Sequence, residues 1–147
     1  MKEIESKEME SKGIDKYSPC PCDSKKPYHK CCRPFHQGAA PPTALSLMRS
    51  RYCAYALGLV DYIMTTTHSQ NAAYTADRTA WGKDLALFCK HTNFDGLKIL
   101  QVEEGVEEGT VSFTAYLRQG ESDATFSEKS SFSKEGHRWL YRCGEIS

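Results

Sequence analysis

Four of the seven cysteines, Cys20, Cys22, Cys31 and Cys32, lie in the thirteen residues CPCDSKKPYHKCC. Thiols at this density form disulfides, exchange electrons or ligate a metal. Zinc takes four soft or borderline ligands in a tetrahedron, with sulfur about 2.3 Å from the ion. Two short thiolate pairs joined by a loop of eight residues can supply that shell. Pro19 and Pro21 stiffen the approach to the first pair, and Asp23-Ser24 and Lys25-Lys26-Pro27 read as turn residues between the pairs. Adjacent cysteines rarely bond to each other, because the ring is strained, so a disulfide reading needs two crossed long-range bonds. The pattern predicts one structural zinc ion held by all four cysteines, with no position open for substrate. His36 is an alternative ligand for one of them, against the simpler reading of an exposed residue in the outgoing turn. So short a module has little core of its own, and metal binding would supply most of its folding free energy, about 10–16 kcal/mol apparent.

A second constellation lies a hundred residues on. Alternation in DATFSEKSSFS puts Ala124, Phe126, Glu128, Ser130 and Phe132 on one side of a strand. Glu128 and Ser130 therefore sit between phenylalanines on the face expected to look inward. A carboxylate there is costly unless it is paired or reached by water. One reading is an acid–base or ligand-binding pocket formed by Glu128, Ser130, Tyr52, His68 and Arg49. The other is a structural Glu–Arg or Glu–Tyr pair that fixes helix against sheet. Arg49, Arg51 and Arg78 are the available cations. Arg49 and Arg51 lie about 200° apart on a helix, so at most one faces the sheet. His68, after three threonines, is alternatively a cap at a helix end. Cys53, Cys89 and Cys143 read as small core residues, and Trp81 and Trp139 as core anchors. The acidic EGVEEG turn reads as a solvated hairpin tip. There is no phosphate loop, nucleophile elbow or HExxH pattern, so the residues establish no catalytic constellation.

Periodicity supplies the scaffold for these groups. Residues 1–17 are charged and poor in large apolar groups, and are expected to be a disordered tail. The cysteine module spans 18–37, and GAAPP marks a boundary before a second domain over 43–147. Thr43 is a plausible N-cap for a helix carrying Leu45, Met48, Tyr52, Tyr55 and Leu59, interrupted near Gly58, with a short helix after it. WGKDLALFCKH predicts a third helical piece with Trp81, Leu85 and Phe88 on one side. From Leu97 the period falls to two, and four strand-like runs separated by short turns predict an antiparallel meander. Helices first and sheet second give an α+β domain with helices on one face of a curved sheet.

Lys+Arg and Asp+Glu balance at 19 each, which disfavours nucleic acid as a partner despite Lys25-Lys26. No run is apolar enough for a transmembrane helix and MKEIESKEMESKG has no apolar signal region, so no membrane association and a cytoplasmic location are expected. In that compartment thiols stay reduced, which favours metal over disulfides.

CPCDSKKPYHKCC resembles the SEC-C motif, the zinc module named for the C-terminus of the SecA translocation ATPase. With CCRPFHQG, LMRSRYCAYALGLVDYIMTTTH, VSFTAYL, EKSSF and RWLYRCG in order, the chain is similar to the YchJ-like family of bacterial proteins over about Pro19 to Gly144. The resemblance implies a SEC-C knuckle followed by a nuclear transport factor 2-like cone, a strongly bent sheet whose open end is often a pocket. It also implies a protein partner, by analogy with the SecA tail, which contacts the chaperone SecB and the ribosome. The favoured expectation is therefore a protein-interaction module on a cone-shaped scaffold. A small-ligand or enzymatic pocket around Glu128 is the alternative, and a homodimer through the sheet a further expectation. Two positions depart from the family: Thr67 stands where it tends to carry Trp, and Ser127 where it often has His.

Overall fold

The computed structural model describes residues 15–147. The expected disordered tail thus falls largely outside the described residues. Its last part departs from expectation, because Asp15 to Tyr17 join the cysteine module. The Asp15 carboxylate accepts from the Tyr17 and Ser18 amides, and the Lys16 carbonyl accepts from the His29 amide at 2.8 Å.

The cysteine module is a knuckle closed by a bridge between Pro19 and Pro27, followed by a 3₁₀ turn at Tyr28–Lys30 and a short helix, α1, at Arg33–His36. Asp23 and Lys25 take positive φ angles of 66° and 75°, the tight left-handed reversals that bring the two cysteine pairs together. The linker is not loose. Pro42 O accepts from Trp139 Nε1 at 3.2 Å, tying it to the sheet.

Helix α2 (Ala44–Leu57) begins at a capping box in which Thr43 and Ser46 exchange side-chain and backbone hydrogen bonds. The Glu104 carboxylate adds acceptors for the Ala44 and Leu45 amides, placing negative charge at the positive end of the helix. The helix stops at Gly58, whose φ of 76° is the left-handed conformation that glycine adopts without penalty. Helix α3 (Val60–Thr65) comes directly after it. Helix α4 (Arg78–Lys90) starts three residues before Trp81, because the Asp77 side chain caps it through the Ala80 amide. None of the described helices is long and apolar enough to cross a membrane.

Strands β1 (Asn93–Glu104), β2 (Glu108–Gln119), β4 (Phe126–Glu135) and β5 (Arg138–Ile146) form an antiparallel sheet in the order β1-β2-β4-β5. The two-residue β3 (Ser122–Asp123) pairs only with β2. Val111, Phe113, Ala115 and Leu117 alternate inward from β2 and form the core with Leu47 and Met48 of α2, Phe132 and Trp139. Helix α2 is buried on nearly all sides because it is packed between the sheet and the knuckle.

One part of the expected alternation fails. Along β5, Tyr141 pairs with Phe132 but Cys143 pairs with Ser131, so Arg142 is an extra residue. Such a bulge inverts the parity of the residues downstream of it. Cys143 is consequently exposed rather than a core residue, and Gly144 turns inward opposite Ser130.

Candidate metal centre and binding cavity

The sulfurs of Cys20, Cys22, Cys31 and Cys32 all lie within 4.8 Å of one another. Cys22 and Cys31 are 3.5 Å apart, and Cys31 and Cys32 are 3.9 Å apart. A tetrahedron of sulfurs about 2.3 Å from a metal has edges of about 3.8 Å, so the donors already stand at ligating separations. The four cysteines could therefore hold a metal ion through protein sulfur alone. Three of them are buried, and Cys31 is half-buried.

His36 neither stands in for one of the four cysteines nor lies exposed in the outgoing turn, but is half-buried with both ring nitrogens engaged. Its Nδ1 accepts from the Tyr28 hydroxyl at 2.7 Å inside the knuckle, and its Nε2 donates to the Ser50 carbonyl at 2.8 Å, which ties the knuckle to α2. Burial lowers the His36 pKa, in keeping with a neutral ring. Arg49 also departs from expectation. It reaches away from the sheet, and its NH1 donates to the Cys22 carbonyl at 2.8 Å and lies 3.9 Å from the Cys22 sulfur. Cys53, expected as a core residue, is buried beneath the same cluster, 3.8 Å from the Cys20 sulfur.

On the other side of α2 the sheet curls around a cavity of about 330 Å³. Tyr52, Tyr55, Phe94, Phe113 and Phe126 make much of its wall, and Arg51, Glu128, Ser130 and Tyr141 bring polar groups to it. Strand parity aims Glu128 inward, as its sequence predicts. One carboxylate oxygen, Oε2, accepts from Ser130 Oγ at 2.5 Å and from the Tyr141 hydroxyl at 2.8 Å. Burial first, and then the Glu128 charge, raise the Tyr141 phenol above its ordinary range. Gly144 makes room for this arrangement. A Cβ at that position would overlap the Glu128 carboxylate and come within 2.6 Å of the Tyr141 hydroxyl.

Arg51, the cation that does face the cavity, is buried at 7% exposure. Its NH1 donates to Ile63 O, Thr66 Oγ1 and Thr67 Oγ1 at 2.8–3.1 Å, and its guanidinium lies 4.7 Å from the centre of the Tyr141 ring. Among the described residues no ion pair joins Arg51 to Glu128 or to any other carboxylate. Of the two structural pairings considered for Glu128, the tyrosine is present and the arginine is not. Arg78 lies over the Trp81 ring.

The structure brings Glu128, Ser130 and Tyr52 together at one cavity and leaves Arg49 and His68 outside it. Tyr52 uses its hydroxyl on the Gly96 backbone, donating to the carbonyl and accepting from the amide. His68 lies against the far side of β5: its amide donates to Tyr141 O, and its Nε2 meets the Glu135 carboxylate at 3.1 Å. Its Nδ1 accepts from the Gln70 amide, so the ring closes a turn rather than capping α3. Sequence reasoning missed the polar role of Tyr141 and the space left by Gly144. The Arg142 bulge that seats Gly144 has no mark in the residue pattern. The two departures now have locations: Thr67 supplies an acceptor to Arg51, while Ser127 bonds Thr114 between β2 and β4, at the opposite parity from Glu128.

A cysteine knuckle fused to an aromatic-walled, bent-sheet cone defines a class, and comparison with known proteins assigns the same class. The model of the YchJ middle domain, described as nuclear transport factor 2-like, matches residues 43–144. A UPF0225 protein of Streptomyces coelicolor is 37% identical over 132 residues, covering 87% of this chain and 95% of the relative. The solution structure of a SEC-C motif containing protein from Rhodopseudomonas palustris superposes with a TM-score of 0.75 at 32% identity, over 88% of this chain and 99% of that one. A SEC-C motif containing protein from Psychrobacter arcticus gives 0.73 at 24% identity, over 90% and 84%, a likeness of fold alone. The chain belongs to the YchJ-like family, with a SEC-C cysteine knuckle ahead of its nuclear transport factor 2-like domain.

Proposed function

We propose that this protein binds a small, largely apolar ligand in the cone, with one zinc ion in the knuckle as a structural staple. The observation that carries the reading is the 330 Å³ cavity with a carboxylate on its wall. Small-molecule sites are concave, mostly apolar and carry a few convergent polar groups. The volume is at the lower end of the range for such sites, room for about ten waters or a ligand of about as many non-hydrogen atoms. The knuckle supports the complementary half of the reading. Its inner side is engaged by Arg49, Ser50 and Cys53, and its sulfurs form a closed shell. Such a site stabilises a fold and leaves no coordination position for substrate. Zinc fits the all-sulfur set best, and reduced thiols fit the cytoplasm.

The test uses indole as a neutral probe of matching size. It should raise the melting temperature of the zinc-loaded chain. Ala115→Leu, which fills the cavity from β2, should keep the fold and abolish the shift. An equal shift in both proteins, or none in either, would overturn the reading.

A further inference from the structure

The cavity holds two charged groups that the fold does not pair with each other. The Glu128 carboxylate spends Oε2 on Ser130 and Tyr141, and Oε1 accepts no hydrogen bond from any described residue. The Arg51 guanidinium spends NH1 on three oxygens and donates to no described residue through its other nitrogens. Both groups line the same aromatic cavity without an ion pair between them. In so apolar a place each retains unmet capacity, negative on one side and positive on the other.

The wall is therefore neutral overall and strongly dipolar. A cationic head would gain from Glu128 and suffer from Arg51, and an anionic head would meet the reverse. An uncharged head that both donates and accepts satisfies the two at once. Resting on the ligand-binding reading above, we infer that the cavity selects small aromatic or aliphatic molecules ending in a net-neutral donor–acceptor head of the carboxamide type. Its N–H groups donate to Glu128, its carbonyl oxygen accepts from Arg51, and its apolar body packs against Phe94, Phe113 and Phe126. The Gly144 position, left without a side chain where the carboxylate lies, keeps Glu128 at the cavity wall.

The experiment is calorimetric titration of the zinc-loaded full chain with four probes of one shape: phenylacetamide, phenylacetate, phenethylamine and toluene. In the wild type, phenylacetamide should bind at least tenfold more tightly than either charged probe. Glu128→Gln keeps shape and acceptor for Ser130 and Tyr141 but leaves Arg51 as the only charge. It should weaken phenylacetamide and strengthen phenylacetate by tenfold or more, a gain of binding that a misfolded variant cannot show. Phenethylamine as the tightest wild-type ligand would overturn the inference. So would toluene equalling phenylacetamide in both proteins, although ligand binding itself would then stand. Binding of none of the probes, with indole also inert, would overturn both.

Discussion

The two ends of this molecule handle reactive side chains in opposite ways. In the knuckle, four cysteines face one another, and their surroundings complete them: Arg49 approaches Cys22 and His36 locks the module to α2. In the cone, Glu128 and Arg51 face a shared cavity and are completed only in part. Side chains that satisfy one another build structure, whereas side chains left with spare capacity in a concave apolar place can serve a ligand. Helix α2 separates the two regimes, with Arg49, Ser50 and Cys53 turned to the knuckle and Met48, Arg51, Tyr52 and Tyr55 to the cavity.

Metal removal should drive the two ends apart most forcefully. Stripping the ion with a chelator, or Cys22→Ser with Cys32→Ser, removes an apparent folding contribution of about 10–16 kcal/mol from the knuckle. Hydrogen exchange should then show residues 18–37 unprotected and β1, β2 and β4 still protected, because the cone has its own core. Loss of protection across the sheet would mean that the two regions fold as one. Phe132→Ala probes the other side. It should cost about 3–5 kcal/mol in denaturant titration, from a side chain only 2% exposed, while leaving zinc content at about one per chain.

Smaller changes probe the boundary between them. Arg49→Ala removes the guanidinium that holds the Cys22 carbonyl and should cost about 1.5–3 kcal/mol. Its readout is faster zinc transfer to a chromogenic chelator, with ligand binding in the cone unchanged. Gly144→Ala should push the Glu128 carboxylate off its Tyr141 and Ser130 donors, losing about 1 kcal/mol of stability and more than tenfold in ligand affinity. The smallest effect is a pH dependence. Burial depresses the folded-state pKa of His36, so below about pH 6.5 the unfolded chain takes up a proton that the folded one refuses. Stability from this site is full above that pH and falls as the solution is acidified, by at most about 1.4 kcal/mol per pH unit. His36→Gln should flatten that component in thermal melts of the zinc-loaded protein between pH 7 and 6.

Legibility in the sequence tracked how local the cause was. Thiol spacing, the Thr43 cap, the helix stop at Gly58 and the period-two alternation of β2 depend on neighbours in the chain, and each is readable there. The inward aim of Glu128 is of the same kind. The features that escaped depend on tertiary context. Arg49 and Arg51 differ by two positions on one helix, and only the knuckle on one side and the cavity on the other decide which cation goes where. The Arg142 bulge reverses Cys143 and Gly144 through pairing with β4, which residue types do not encode. His68 carries the right chemistry for a pocket, but the α3–β5 junction turns it toward Glu135.

The sharpest check on the division of labour across α2 is to titrate the isotope-labelled, zinc-loaded protein with indole while following backbone amide resonances. Saturable shifts are expected at Phe113, Ala115, Leu117, Glu128 and Ser130, with residues 18–32 unmoved. Shifts clustered on the knuckle, or no saturable shift around Glu128, would contradict that division.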